Sequence, residues 1–594
     1  MLYQWIIIIL IAISTGNTFA QDITGLNLLG TFHTGLFDVG GSEILTYDAV
    51  SQRLFSTNRG DSTIDIIHIA DPAIPRRIKQ VSMTGYGFGL TCVASYNGII
   101  AATVPNDSAQ LNGVVVFLDT GGNYIAQVLV GAMPKMLCFT PDGGKLLVAN
   151  EGEAAVNYDP EGSISIIDVS GGVVGITQAA VKTIGFTAFN ATVLDSSIRI
   201  YGSGNGSGTV AEDLEPEYIA VSPDGSMAYV TCQENNAVAV VDLNIDSIIA
   251  LTGLGFKNHN LAGNGIDASD LSGSINITTW PVWGMYQPDG AATFDVAGST
   301  YLIIANEGSS RSFEKTSVDS IMLDDTVFTN IAFLQNDTAL GRLRISNAMG
   351  DIDGDGKYEK LYCFGGRSFS IWNTATGTMV YDSGDELEQI IAAQYPKQFN
   401  SNNFDNNSFK SRSENKGPEP EVIEIAEIGG KVYAFIGLER MGGIMLFDVT
   451  NPAAPVFINY ILNRNFTVPA TSVDAGDLGP EDIVYIPDTL SPNGKHLLAV
   501  SNEVSGTLSI YEMVDWAIGI DDADNDRRGF MAYPNPNNSG IVCFNKTVSV
   551  TVYDLVGQKI ERIENQSSHR FSHYKPGIYL LVTDEGEMSK LYLY

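Results

Sequence analysis

Acidic residues recur at two fixed places along this chain, and their spacing suggests shared chemistry. In "LEPEYIAVSPDGSMAYVTCQENNAVAVVDL", Glu217 opens an alternating apolar run and Glu234 follows the next one, 17 residues later. The same two slots hold Glu43 and Arg59, Lys135 and Glu151, Asp289 and Glu307, Glu421 and Glu439, and Glu481 and Glu503. Carboxylates gathered closely raise one another's pKa unless cations neutralise them. The set therefore reads as a cation site, or as an anion site bridged by cations. Each position taken singly also has a plainer reading. Acids after Pro are common at strand entries, hairpin acids are usually solvated, and repeats keep such residues for packing.

A second acidic element is "GDIDGDGKYEKLY". Asp351, Asp353, Asp355, Gly356 and Glu359 follow the front of a calcium loop, with ligands at alternate positions and a Gly for the turn. Position twelve is Tyr362 and no helical pattern flanks it, so the expectation is Ca²⁺ in a helix-free turn, set against an unliganded acidic turn. "DDADNDRRG" (521–529) is a fainter copy. The chain has no GxSxG, Walker loop, strand–helix GxGxxG or HExxH, and its six His do not cluster. Serine-triad and zinc hydrolase readings lack their parts.

These residues need elements to position them. Residues 21–513 show almost no helical period and many strand–turn–strand units, among them "QRLFSTNRGDSTIDIIHIADPAIP", "KVYAFIGLERMGGIMLFDVTNPAAP" and "KHLLAVSNEVSGTLSIYEM". One such unit leaves both sheet faces uncovered, whereas a circle of them buries those faces and leaves short edges. The pattern predicts an all-β fold, a β-propeller of about seven blades. "LYCFGGRSFSIWN" (361–373) either completes the fifth blade after an insertion or makes an eighth. First strands line a propeller's channel, so slot one would ring one mouth and slot two would lie concentric with it.

The ends differ from the middle. Residues 1–20 carry an apolar core and a small-residue end, which reads as a cleaved secretory signal; a membrane anchor is the competing reading. No later stretch is long and apolar enough to span, so no transmembrane segment is expected in the mature, exported chain. Residues 514–529 form an acidic linker, and short alternating strands over 530–594 suggest a small β-sandwich. A formal charge of −35 repels phosphate backbones and anionic membranes, which excludes nucleic acid as a partner. Five scattered Cys without CxxC indicate neither a disulfide framework nor a zinc site.

The segments "YPNPNNSG", "VYDLVGQ" and "PGIYLL" resemble the C-terminal sorting domain of the bacterial type IX secretion system. That resemblance implies export by the type IX machinery, then cleavage with release or surface attachment. "LEPEYIAVSPDG", "PVWGMYQPDG", "TYLIIANEGSSR", "GDIDGDGKYEKLYCFGGRSFSIW", "GLERMGGIMLFDVTNP" and "LGPEDI" resemble, in order, the choice-of-anchor I family of exported bacterial proteins. That family implies a propeller-like domain with varying C-terminal anchors. Some members are labelled alkaline phosphatase, and similar calcium-dependent phosphoesterase propellers place acids and Arg around the channel mouth. Ser309 stands where relatives tend to carry Asp, which removes one ligand.

Two functions follow as expectations. The preferred one is a secreted or surface-attached binding or scaffold propeller for an extracellular ligand, with Ca²⁺ serving structure. The alternative is a metal-dependent phosphoesterase. There Glu217, Asp289, Glu421 and Glu481, helped by Glu151, Glu234, Glu307, Glu439 and Glu503, would hold Ca²⁺. Arg311, Arg367 and Arg440 would clamp the phosphoryl oxygens.

Overall fold

The structure is a computed structural model that describes residues 23–154, 158–201, 208–311 and 313–515. Beyond these it describes most of 532–593, apart from 534–540, 554–557, 572, 576 and 585–587. The secretory signal (1–20) and nearly all of the linker lie outside the described residues. The chain divides into two compact units, with the division after Ala517.

Among the described residues the larger unit is built on seven four-stranded antiparallel sheets. Blades 1 to 6 take their strands from 45–82, 92–132, 134–185, 219–253, 291–382 and 420–461. Blade 7 is composite: Pro480–Ile486, Leu497–Asn502 and Thr507–Asp515 are joined by the N-terminal strand Ile23–His33. The first strands of successive blades pack on one another in order, and that of blade 7 returns to that of blade 1. The ring is closed, and the described residues of the larger unit form a seven-bladed β-propeller.

Local sequence accounts for the blades. In blade 4, alternating Ile219–Val221 and Met227–Cys232 flank Pro223-Asp224-Gly225. Asp224 accepts from Ser222 Oγ at 2.6 Å and Ser226 N at 2.9 Å, and Gly225 takes φ +71°. The turn is thus closed by its own side chain. Leu147 and Ile164 of blade 3 interleave with Ile219, Val230 and Val241 of blade 4, each worth about 2 kcal/mol over exposure.

Ser368–Asn373 pairs directly with Ser299–Asn306 and completes blade 5, whereas Tyr362–Cys363 joins the sheet of the insertion, so there is no eighth blade among the described residues. The insertion between these strands builds a small sheet with Phe256–Asn258 and Trp283–Met285. The described strands of the C-terminal unit form one connected five-stranded sheet. Its long strand Ile541–Tyr553 pairs with three others around Val550, Leu581 and Leu591. No helix among the described residues is long and apolar enough to cross a membrane.

Candidate cation site at the channel mouth

Both acid slots lie at the same mouth, and backbone geometry puts them there. Glu43, Glu217 and Asp289 each bond backbone N–H to the carbonyl of Thr57, Thr231 and Ala305, at 3.1, 2.9 and 3.1 Å. Register shifts fall on Lys135, Glu421 and Glu481, each just after a Pro that opens the strand. Such bulges re-aim a side chain. Two residues ahead of slot one the chain turns left-handed, at Met133, Gln287, Glu419 and Gly479 with φ of 46–70°. For the non-glycine residues this is strain of the kind held at functional sites. The carbonyls of Met133, Glu419 and Gly479 then accept from Glu151, Glu439 and Glu503 of slot two at 2.7–2.9 Å. In blades 3, 6 and 7 one such hydrogen bond ties the slots together.

Blade 2 breaks the ring. Its slot-one position is Thr91, whose hydroxyl donates to Pro134 O at 2.6 Å. In blade 3 that slot carries Lys135, whose ammonium lies 3.6 Å from Glu151 and 3.7 Å from Glu217.

The remaining acids face one another. Glu217, 7 % exposed, is pushed well above the usual carboxylate range by burial and then by Glu234. Glu234 falls below its usual value because hydrogen bonding to Glu217 and Ser309 outweighs its burial; Ser309 Oγ donates to it at 2.6 Å. Glu421 is raised by burial, then by Glu307 and Asp289, and Glu481 by burial, then by Glu503 and Glu43. Burial also lifts Glu43 and Glu307 to about 7 and Glu439 to about 8. Glu151 Oε2, Glu217 Oε1, Glu234 Oε2 and Glu421 Oε2 are buried without a hydrogen-bond donor. A buried acceptor without a donor is costly, and the Lys135 ammonium, 3.6 Å from Glu151 Oε2, offsets only part of that cost.

Two overlapping triples offer oxygens that all lie within 4.8 Å of one another: Asp289, Glu307 and Glu421, and Glu307, Glu419 and Glu439, the second already paired with Lys416 and Arg440. Gln233 Nε2 donates to Glu307 at 2.6 Å and Lys416 contacts its other oxygen, while Glu421 Oε2 has no donor. An all-oxygen carboxylate set suits a hard cation such as Ca²⁺. The Asp-rich turn also gathers its acids: Asp351, Asp353, Asp355 and Glu359 meet the same 4.8 Å criterion. There Asp351 accepts from Gly354 and Gly356, and Glu359 from Ile352 at 2.6 Å. The turn is exposed at 352–356, within the insertion.

The three arginines have other partners. Arg311 pairs with Glu215 at 2.9 Å, and Arg440 with Glu419 and Glu439 at 3.0 Å. Arg367 is 2 % exposed, and its terminal nitrogens are taken by Glu388 and by the carbonyls of Asp267, Ser413 and Asn415. It ties the insertion to the following loop, and no three-arginine clamp forms.

Three mouth residues lie outside the repeat. Glu215, raised by burial to about 9 against the pull of Arg311, belongs to "LEPE". Lys416 and Glu419 belong to "KGPEPE". Glu419 is fully buried yet held far below its usual value, because Lys416, Arg412 and Arg440 outweigh the burial. Their signal was a second acid or base two to five residues ahead of slot one.

Fold and site together define an all-β propeller with an acidic mouth. The Choice-of-anchor I domain model matches residues 43–452, and the chain belongs to that family. The Secretion system C-terminal sorting domain model matches 531–591, which makes this a type IX-sorted protein, secreted or held at the cell surface. Gigasin-3a of Magallana gigas is 36% identical over 195 residues, 31% of this chain and 68% of that one. The Mesenchyme-specific cell surface glycoprotein of Strongylocentrotus purpuratus is 28% identical over 345 residues, 52% of this chain; the match spans only 41% of that protein. Among solved structures, the β-propeller domain of Myceliophteria thermophila Cps50 matches 82% of this chain and 100% of its own at 8% identity, with a TM-score of 0.39.

Proposed function

We propose that this protein is an exported binding or scaffold propeller whose mouth is stabilised by divalent cations, Ca²⁺ foremost, and presents an extracellular ligand face. The observation that carries this reading is the set of buried carboxylate oxygens without donors in blades 3, 4 and 6. Asp289, Glu307 and Glu421 would hold one ion, and the Asp-rich turn a second. Each ion would replace repulsion between facing acids with coordination. The phosphoesterase alternative relied on Arg311, Arg367 and Arg440 as a clamp, and all three are held by carboxylates.

Calorimetric titration of the chelated full chain with Ca²⁺ tests the proposal. Saturable binding with a rise in Tm is expected, weakened in an Asp289→Asn/Glu421→Gln protein that still folds. No heat and no change in Tm would remove the cation from the account. Metal-dependent turnover of phosphomonoesters or diesters would overturn the scaffold reading.

A further inference from the structure

The mouth has a second feature, at the seam where blade 1 meets blade 7. A cavity of about 270 Å³ opens there, walled by Asp38, Glu43 and Glu503, by Arg59, and by Val39 and Val504. Glu43 is 9 % exposed and points into it, yet its nearest cation, Arg59 Nη1, stands 3.7 Å away, beyond hydrogen-bond reach. The Arg59 side chain is 68% exposed, so this bridge is weak. Arg59 is the cation beside Glu43, and the Glu439 carboxyl hydrogen-bonds Glu503. Three acids thus line one cavity whose walls carry a single, loosely held guanidinium.

We propose that this seam pocket binds an organic cation: the ammonium or guanidinium end of a basic side chain or small amine. Geometry separates it from the chelating set. Asp38, Glu43 and Glu503 are not among the described carboxylate groups whose oxygens converge within 4.8 Å, and that wider spacing suits a group larger than a bare ion. The volume lies just below the range of about 300–1,000 Å³ usual for small-molecule sites, which fits the end of one side chain. Val39 and Val504 offer apolar walls for its methylene stem. Gly40, at φ +67°, is the residue that keeps the pocket open: a Cβ there would lie 2.4 Å from Glu43 Oε1. The inference goes beyond the Ca²⁺ reading and uses different carboxylates.

The test titrates the full chain with agmatine, with the tripeptide Gly-Arg-Gly, and separately with Ca²⁺. Saturable binding of an arginine-type cation is expected, weakened about tenfold or more by Glu43→Gln. Asp38 is exposed, so Asp38→Asn should keep the ring intact and still weaken binding. Tighter binding of agmatine assigns the site to small free cations, tighter binding of the tripeptide assigns it to peptides, and equal binding shows that the guanidinium end alone is recognised. No saturation below about 1 mM, or affinity unchanged in both variants, overturns the proposal. So does loss of probe binding in a folded Asp289→Asn/Glu421→Gln protein. Ca²⁺ heats retained in Asp38→Asn keep the failure of one site distinct from failure of the other.

Discussion

Lys135 of blade 3 reaches across the seam to Glu217 of blade 4, 3.7 Å away, while also standing 3.6 Å from Glu151 of its own blade. One ammonium thus sits in the slot where five other blades place an acid. Its pKa is raised by Glu151 and Glu217 despite burial, but its side chain is 44% exposed, so solvent screens the gain. Lys135→Ala should cost about 1 kcal/mol without metal. It should also strengthen Ca²⁺ binding several-fold, because a competing cation is gone. Unchanged or weaker Ca²⁺ affinity in calorimetry would place the ion away from this part of the mouth.

The raised carboxyls set a pH dependence with a definite sign. Burial brings Glu43 and Glu307 to about 7 and Glu439 to about 8. Each keeps its proton in the folded state where the unfolded chain has lost it. The stability contribution is full below the ordinary value of 4.5 and is lost as pH rises through 7 to 8. Glu419, shifted the other way, matters only below 4.5. In EDTA the Tm of the propeller should therefore be highest near about pH 5 and fall toward about pH 8. Ca²⁺ should recover most of that loss at the alkaline end and little at the acid end. A Tm that rises with pH in EDTA contradicts this account.

Glu419 is the most heavily used acid of the mouth, gripped by Arg412, Lys416 and Arg440. Glu419→Gln leaves those cations without their shared, fully buried partner. The expected loss is about 3–5 kcal/mol, read by urea unfolding. A shift within about 0.5 kcal/mol would mean that the remaining acids repartner with the three bases.

The Asp-rich turn and the mouth should be separable. Asp353→Asn with Asp355→Asn is expected to lower the Ca²⁺ stoichiometry by one while leaving the affinity of the remaining site unchanged. Both side chains are exposed, so the propeller should keep its Tm in EDTA. Unchanged stoichiometry would leave the turn as an unliganded acidic loop.

Ring closure depends on a close backbone approach. A Cβ on Gly30 would lie 2.5 Å from Ala73 O, so Gly30→Ala must push the closing strand away from its neighbour. Destabilisation of about 1–3 kcal/mol is expected in denaturant melts.

Much of this was legible before the structure. Period-2 runs around hairpins such as Pro223-Asp224-Gly225 depend on neighbouring residues alone, so blades and turns could be read from them. The acid slots were visible because a ring repeats its spacing, as from Glu217 to Glu234. What could not be read is what depends on tertiary contact. Left-handed Met133, Gln287 and Glu419 carry no glycine signal, yet they help aim the slots. The buried partners of Arg367 come from Glu388 and from the distant carbonyls of Asp267, Ser413 and Asn415, so its role in the insertion was invisible and it resembled a mouth residue. The same holds for Ile23–His33, whose alternation gives no hint that its partner is Thr507–Asp515.

That last pairing bears on export. Thr31 and Ser509 meet across 478 residues of chain, so the clasp can form only after every other blade has emerged. A chain that ends before Thr507 presents an unpaired eleven-residue strand edge and lacks the sorting segment that follows it. The completeness of the ring and the right to leave the cell are thus written at the same end of the polypeptide. A truncated product would be both sticky and undeliverable.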